Sequence, residues 1–90
     1  LLAEGLNKIE GLHVDLRTVQ TNIVMCDVDG LGISAEDFVK RLKTHGVLVN
    51  SINRRRVRFV THRGIERNDI ERALCIIEEI AKKIRVERGL

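Results

Sequence analysis

Arg58 stands in the run Val57-Arg58-Phe59-Val60, with apolar residues on both sides. In an extended strand successive side chains point to opposite faces, so Val57 and Phe59 share one face while Arg58 and Val60 share the other. A guanidinium presented from a strand offers its donors in a rigid fork that matches a carboxylate or phosphate bidentately. The strand also holds the root of that side chain more firmly than a loop would. Arg58 is therefore the candidate binding residue, and a small acid is its candidate ligand. The same pattern equally describes an arginine that lies against water or pairs with a nearby carboxylate, and strand phase alone leaves both readings open.

The other reactive side chains form no comparable arrangement. His13, His45, His62, Cys26 and Cys75 follow no metal-site spacing, so no metal is expected. Each cysteine reads as a small hydrophobe, and the pair argues for a reducing compartment over a disulfide scaffold. A lysine that forms a Schiff base needs a dry or electropositive pocket to lower its pKa. Lys40, Lys43, Lys82 and Lys83 fall on charged helical faces and Lys8 lies near a helix end, so none fits that role. Arg54-Arg55-Arg56 reads as a solvated basic turn. Sheet-based nucleic-acid binders stack bases on aromatic rings, and this chain offers only Phe38 and Phe59, both assigned to the core, so no nucleic-acid partner is expected.

The elements that must position Arg58 follow from periodicity. Ser34, with Asp37 three residues on, caps a helix carrying Phe38, Val39 and Leu42 at helical spacing and ending at Gly46. Ile70, Ala73, Leu74, Ile77, Ala81 and Ile84 share one face of a longer helix whose other face carries Glu71, Arg72, Glu78, Lys82 and Lys83. Asn68 with Glu71 forms one possible N-terminal box for it, and a start nearer Glu66 is the other. Leu2, Leu6 and Ile9 indicate a short third helix ending before Gly11. Strands are expected over 22–28, 47–52 and 57–62, with a weaker fourth at 12–14. Four polar residues separate the second and third, which makes them a hairpin. The implied fold class is α+β: a two-layer small domain, with a three- to four-stranded, mostly antiparallel sheet and helices on one face. Ile23-Val24-Met25-Cys26 is apolar on both of its faces, yet helices can cover only one. The open face that carries Arg58 thus needs cover from outside these residues.

Composition sets the remaining bounds. The 90 residues carry 16 Lys or Arg against 13 Asp or Glu, a formal charge of +3, with 43% hydrophobic and 32% charged types. That mixture excludes disorder and low-complexity readings, and the charge is too small to name a polyanionic partner. No stretch is apolar for long enough to span a bilayer and no secretory signal leads the chain, so it reads as cytosolic with no membrane partner. The chain opens without Met and stops directly after a helical segment, which suggests a single domain, 1–90, that is a piece of a larger protein. A domain this small buries only about 60% of its unfolded surface and gains from a covering partner.

Three separated motifs, Gln20-Thr21-Asn22-Ile23-Val24, Gly46-Val47-Leu48-Val49-Asn50 and Arg56-Val57-Arg58-Phe59-Val60-Thr61-His62 followed by Asn68-Asp69-Ile70, resemble in order the C-terminal domain of low-specificity L-threonine aldolases. The resemblance covers nearly the whole chain. It implies the aminotransferase-like fold of pyridoxal-phosphate enzymes, which cleave L-threonine or L-allo-threonine to glycine and acetaldehyde. It implies too that Arg58 holds the α-carboxylate of the amino-acid substrate and so helps set the Cα–Cβ bond against the cofactor. Pyridoxal phosphate and the catalytic groups would belong to the protein's own large domain, leaving no catalytic or cofactor-binding residue among these ninety. The family further implies a homo-oligomer at full length. His62, in the matching motif, reads as a strand-end residue bonded to backbone. The chain departs from the family by lacking proline in the hairpin and by carrying Arg63-Gly64 and Glu66 where many relatives have Leu-Asp and a Ser or Thr cap. Two alternatives stay open: a stand-alone module that binds a small acid or mediates oligomerisation, and the same domain from another enzyme of this superfamily.

Overall fold

A computed structural model describes residues 2–18, 22–61 and 65–89. His62 and the Gln20-Thr21 pair lie outside the described residues. Among the described residues three helices, α1 (Leu2–Asn7), α2 (Ala35–Thr44) and α3 (Arg67–Arg88), accompany three strands, β1 (Ile23–Asp27), β2 (Asn50–Ser51) and β3 (Arg56–Val60). The sheet order is β1-β3-β2 and both pairings are antiparallel. The expected α+β class and the hairpin are both present. The fourth strand at 12–14 shrinks to one bridge, His13 to Asp27, whose backbone groups exchange hydrogen bonds of 2.9 and 2.7 Å.

The local signals explain why the helices start and stop where they do. Ser34 Oγ accepts the Asp37 N–H at 3.2 Å, and two residues beyond the last residue of α2 stands Gly46, whose φ of +83° is a left-handed conformation that glycine adopts without strain. The α3 box is Glu66 with Asp69, not Asn68 with Glu71: Asp69 accepts the Glu66 N–H at 3.1 Å. Both pairs have suitable residues at the right spacing, and the helix takes the earlier one. The first helix stops at Asn7, one turn short of the apolar periodicity, and Ile9 is buried from the turn that follows. β2 is shorter than the expected 47–52, because the Val47 N–H is already committed to the Leu42 carbonyl at the end of α2. Val47 and Val49 lie against the core while Leu48 stands 77% exposed.

All three helices cover one side of the sheet. Val24, Cys26, Val57 and Phe59 point into the core formed with Leu6, Phe38, Leu42, Ile77, Ala81 and Ile84. Arg85 joins α3 to the turn after α1, its Nη1 donating to the Glu10 carbonyl at 2.6 Å and its Nε lying 3.2 Å from the Glu10 carboxylate. Arg41 on α2 pairs with Glu87 on α3 at 3.0 Å. Gly30 packs so closely on Gly11 that a Cβ there would lie 2.8 Å from the Gly11 carbonyl oxygen, so the turn after β1 tolerates no side chain at that point.

The two thiols meet opposite environments. Cys26 is buried in β1, and that burial pushes its pKa up to about 12, whereas Cys75 is exposed on α3. The thiolate is the reacting form, so at pH 8 a disulfide reagent should label Cys75 rapidly and Cys26 only after denaturation. Mass spectrometry of the labelled chain checks this, and rapid labelling of both in the folded state would contradict the buried assignment.

Candidate functional site

β3 occupies the centre of the sheet, so Arg58 is rooted in a strand paired on both sides. Its partner in β1 is Met25 and its partner in β2 is Asn50. Register partners in an antiparallel pair point to the same face, which places Met25, Arg58 and Asn50 in one row across the side the helices leave open. Val57 is fully buried and Phe59 is 5% exposed on the helical side, while Arg58 is half-buried and Val60 is 43% exposed on the other. The strand phase read from the sequence is therefore the phase observed.

The guanidinium of Arg58 is unlike the other arginines around it. Its Nε is buried and has no hydrogen-bond partner. A buried, unpaired donor costs about 1–3 kcal/mol, more when it is charged. Met25 on one side offers only a thioether, a weak acceptor. Asp27, two residues on from Met25, faces Arg56 across the ladder, and one of its carboxylate oxygens accepts the Asp29 N–H at 3.1 Å. The arrangement holds a cation on a rigid strand, half-desolvated and without a counter-charge at its Nε. Such a site suits a bidentate anion.

Next to this row lies a depression of about 450 Å³ lined by His13, Asp15, Met25, Asp27 and Arg56. Asp15 is hydrogen-bonded to the Arg17 guanidinium at 3.2 Å, and that contact holds its carboxyl below the usual carboxylate range. This end of the open face thus carries both signs of charge, unlike the row at Arg58. Apolar residues complete the surroundings: Ile23 and Val60 share the face with Arg58, as does Met25, which is 36% exposed.

The remaining candidates fall elsewhere. Arg54, Arg55 and Arg56 are all exposed, and the carbonyls of Arg54 and Arg55 accept the backbone N–H groups of Ala35 and Val28, tying the hairpin turn to α2 and to the end of β1. Among the described residues no three His, Cys, Asp or Glu side chains gather as metal ligands, and no helix is long and apolar enough to cross a membrane. All five lysines, Lys8, Lys40, Lys43, Lys82 and Lys83, are exposed. None has the sheltered pocket that Schiff-base chemistry requires. Sequence reasoning missed the neighbours of Arg58. Asn50 belongs to a motif visible in the sequence, but only the pairing of β2 with β3 puts it opposite the arginine.

No family model matches the chain. It is 36% identical over 80 residues to low-specificity L-threonine aldolase 1 of Arabidopsis thaliana, an alignment covering 88% of this chain and 22% of that protein. It is 41% identical over 81 residues to the probable low-specificity L-threonine aldolase 2 of the same organism, covering 89% of this chain and 23% of the relative. The chain thus spans less than a quarter of the length of these relatives. A solved structure described as a NifS-like protein superimposes with a TM-score of 0.76 over 91% of this chain and 26% of its own, at 19% identity, a likeness of fold. The sequence similarity supports a likeness between this chain and the small C-terminal domain of low-specificity L-threonine aldolases, and the superposition adds a likeness of fold.

Proposed function

We propose that this chain is the small domain of a pyridoxal-phosphate-dependent threonine aldolase, a lyase that releases glycine and acetaldehyde from L-threonine or L-allo-threonine. Arg58 is its contribution to the active site, binding the substrate's α-carboxylate. The observation that carries this reading is the Arg58 guanidinium itself, with its Nε buried and unpaired on the open face of the central strand. A substrate carboxylate at the two Nη groups supplies the counter-charge that the described residues do not give this guanidinium. With the carboxylate fixed at the rigid strand, rotation about the bond that joins it to Cα is restricted, and the substrate is presented in one orientation.

The cofactor and the groups that make and break bonds belong, in this reading, to the larger part of the polypeptide, and the exposure of every lysine here supports that division. Ile23, Met25 and Val60 give the same face an apolar rim around Arg58, which favours cover by the large domain over contact with water. The test is an assay of the full-length protein, supplied with pyridoxal phosphate, on L-threonine and L-allo-threonine. Glycine and acetaldehyde should appear in equal amounts, whereas residues 1–90 alone should neither cleave threonine nor develop the absorbance of a bound cofactor. Cleavage by the isolated chain would place the chemistry within these residues and refute the division. A full-length protein inert towards both epimers would refute the activity.

A further inference from the structure

The unpaired Nε of Arg58 points to a second residue of the site. That atom is sealed from solvent although the side chain as a whole is only half-buried, so an incoming ligand meets the Nη end of the fork and not the Nε edge. A carboxylate bound end-on at the two Nη groups leaves Nε–H still in need of an acceptor. Asn50 is the register partner of Arg58 on β2, and paired side chains on one face have Cβ atoms about 4.5–5.5 Å apart. Its amide is exposed and its side chain has no hydrogen bond among the described residues, so its carbonyl oxygen is free to turn. Met25, the partner on the other side, has only a weak sulfur acceptor, and Asp27 is directed to the backbone of Asp29. We propose that Asn50 is a positioning residue for Arg58: its side-chain carbonyl accepts from Nε–H and locks the guanidinium with both Nη groups turned to the substrate carboxylate.

This inference rests on the carboxylate-binding reading of Arg58, and the test separates the two. In the full-length protein with pyridoxal phosphate and L-threonine, Asn50→Leu should raise KM about tenfold and leave kcat within about threefold, because a loosened guanidinium weakens binding of a contact present throughout the reaction. The unfolding midpoint should stay unchanged, as the position is exposed on an edge strand. Arg58→Lys keeps the charge and lacks the Nε–H, so in that background Asn50→Leu should shift KM by less than about twofold. An equal effect of Asn50→Leu in both backgrounds would overturn the inference, since Asn50 would then act on the substrate or the fold directly. No effect in the wild-type background would overturn it as well, while a raised KM in Arg58→Lys would leave the carboxylate reading standing. An Arg58→Lys protein with unaltered KM would overturn both. Asn50→Ser, which removes the amide and suits an exposed edge, provides the same comparison if leucine at this position prevents folding.

Discussion

Replacement of Arg58 by alanine in the full-length protein should lower kcat/KM for L-threonine by about 30- to 1000-fold, the loss expected when one bidentate, charge-assisted contact worth roughly 2–4 kcal/mol is removed. Stability should respond in a different proportion. Alanine abolishes a buried donor that has no partner, which relieves a cost, and it forfeits the burial of the partly buried aliphatic stem, which removes a gain. These effects oppose one another, so the unfolding free energy should change by no more than about 1 kcal/mol. Kinetics and denaturant titration on the same preparation decide the matter. If activity and stability fell together, Arg58 would be a structural residue and the carboxylate would have to be sought elsewhere. Lysine at this position should recover only part of the loss, because it restores the charge without the planar fork.

The largest effect on stability is expected at Phe38. This ring is completely buried on α2, where the helix meets the sheet and α3, and it is the largest of the fully buried side chains among the described residues. Phe38→Ala removes the apolar transfer energy of the ring and leaves a cavity that the surrounding helices can only partly close, at a cost of about 3–5 kcal/mol. At roughly 0.05–0.15 kcal/mol per residue a domain of this size has about 5–13 kcal/mol in all, so a single truncation consumes about a fifth or more of it. Urea denaturation of wild type and variant should show the shift in midpoint with little change in slope. Phe38→Leu should recover much of the loss by refilling the space. A change below 1 kcal/mol for the alanine variant would mean that α2 is not seated on the sheet as described.

The parts of the fold that were legible beforehand share one property: each depends on residues a few positions apart. Ser34 and Asp37 marked the start of α2, and the bond between them is present. The alternation in Val57-Arg58-Phe59-Val60 assigned the two faces of β3, and burial follows it. The sequence left a choice open where two local solutions were equally good, and its reading failed where a neighbour intervened. Asn68 with Glu71 and Glu66 with Asp69 are both reasonable boxes, and the second is the one formed. Val47 to Val49 has strand-like composition, but the end of α2 takes the Val47 N–H and no partner strand takes its place.

By itself the sequence determined which face of its strand Arg58 occupies, because side-chain direction in a strand has a period of two and needs no knowledge of the partners. Tertiary structure decided that β3 lies between β1 and β2, that Met25 and Asn50 flank the arginine, and that its Nε is sealed and unpaired. Those facts follow from pairing between separate segments, β1 with β3 across a helix and β2 with β3 across the hairpin turn. Such pairing is set by how the helices and the sheet fill one shared core, which no periodicity within a single segment encodes.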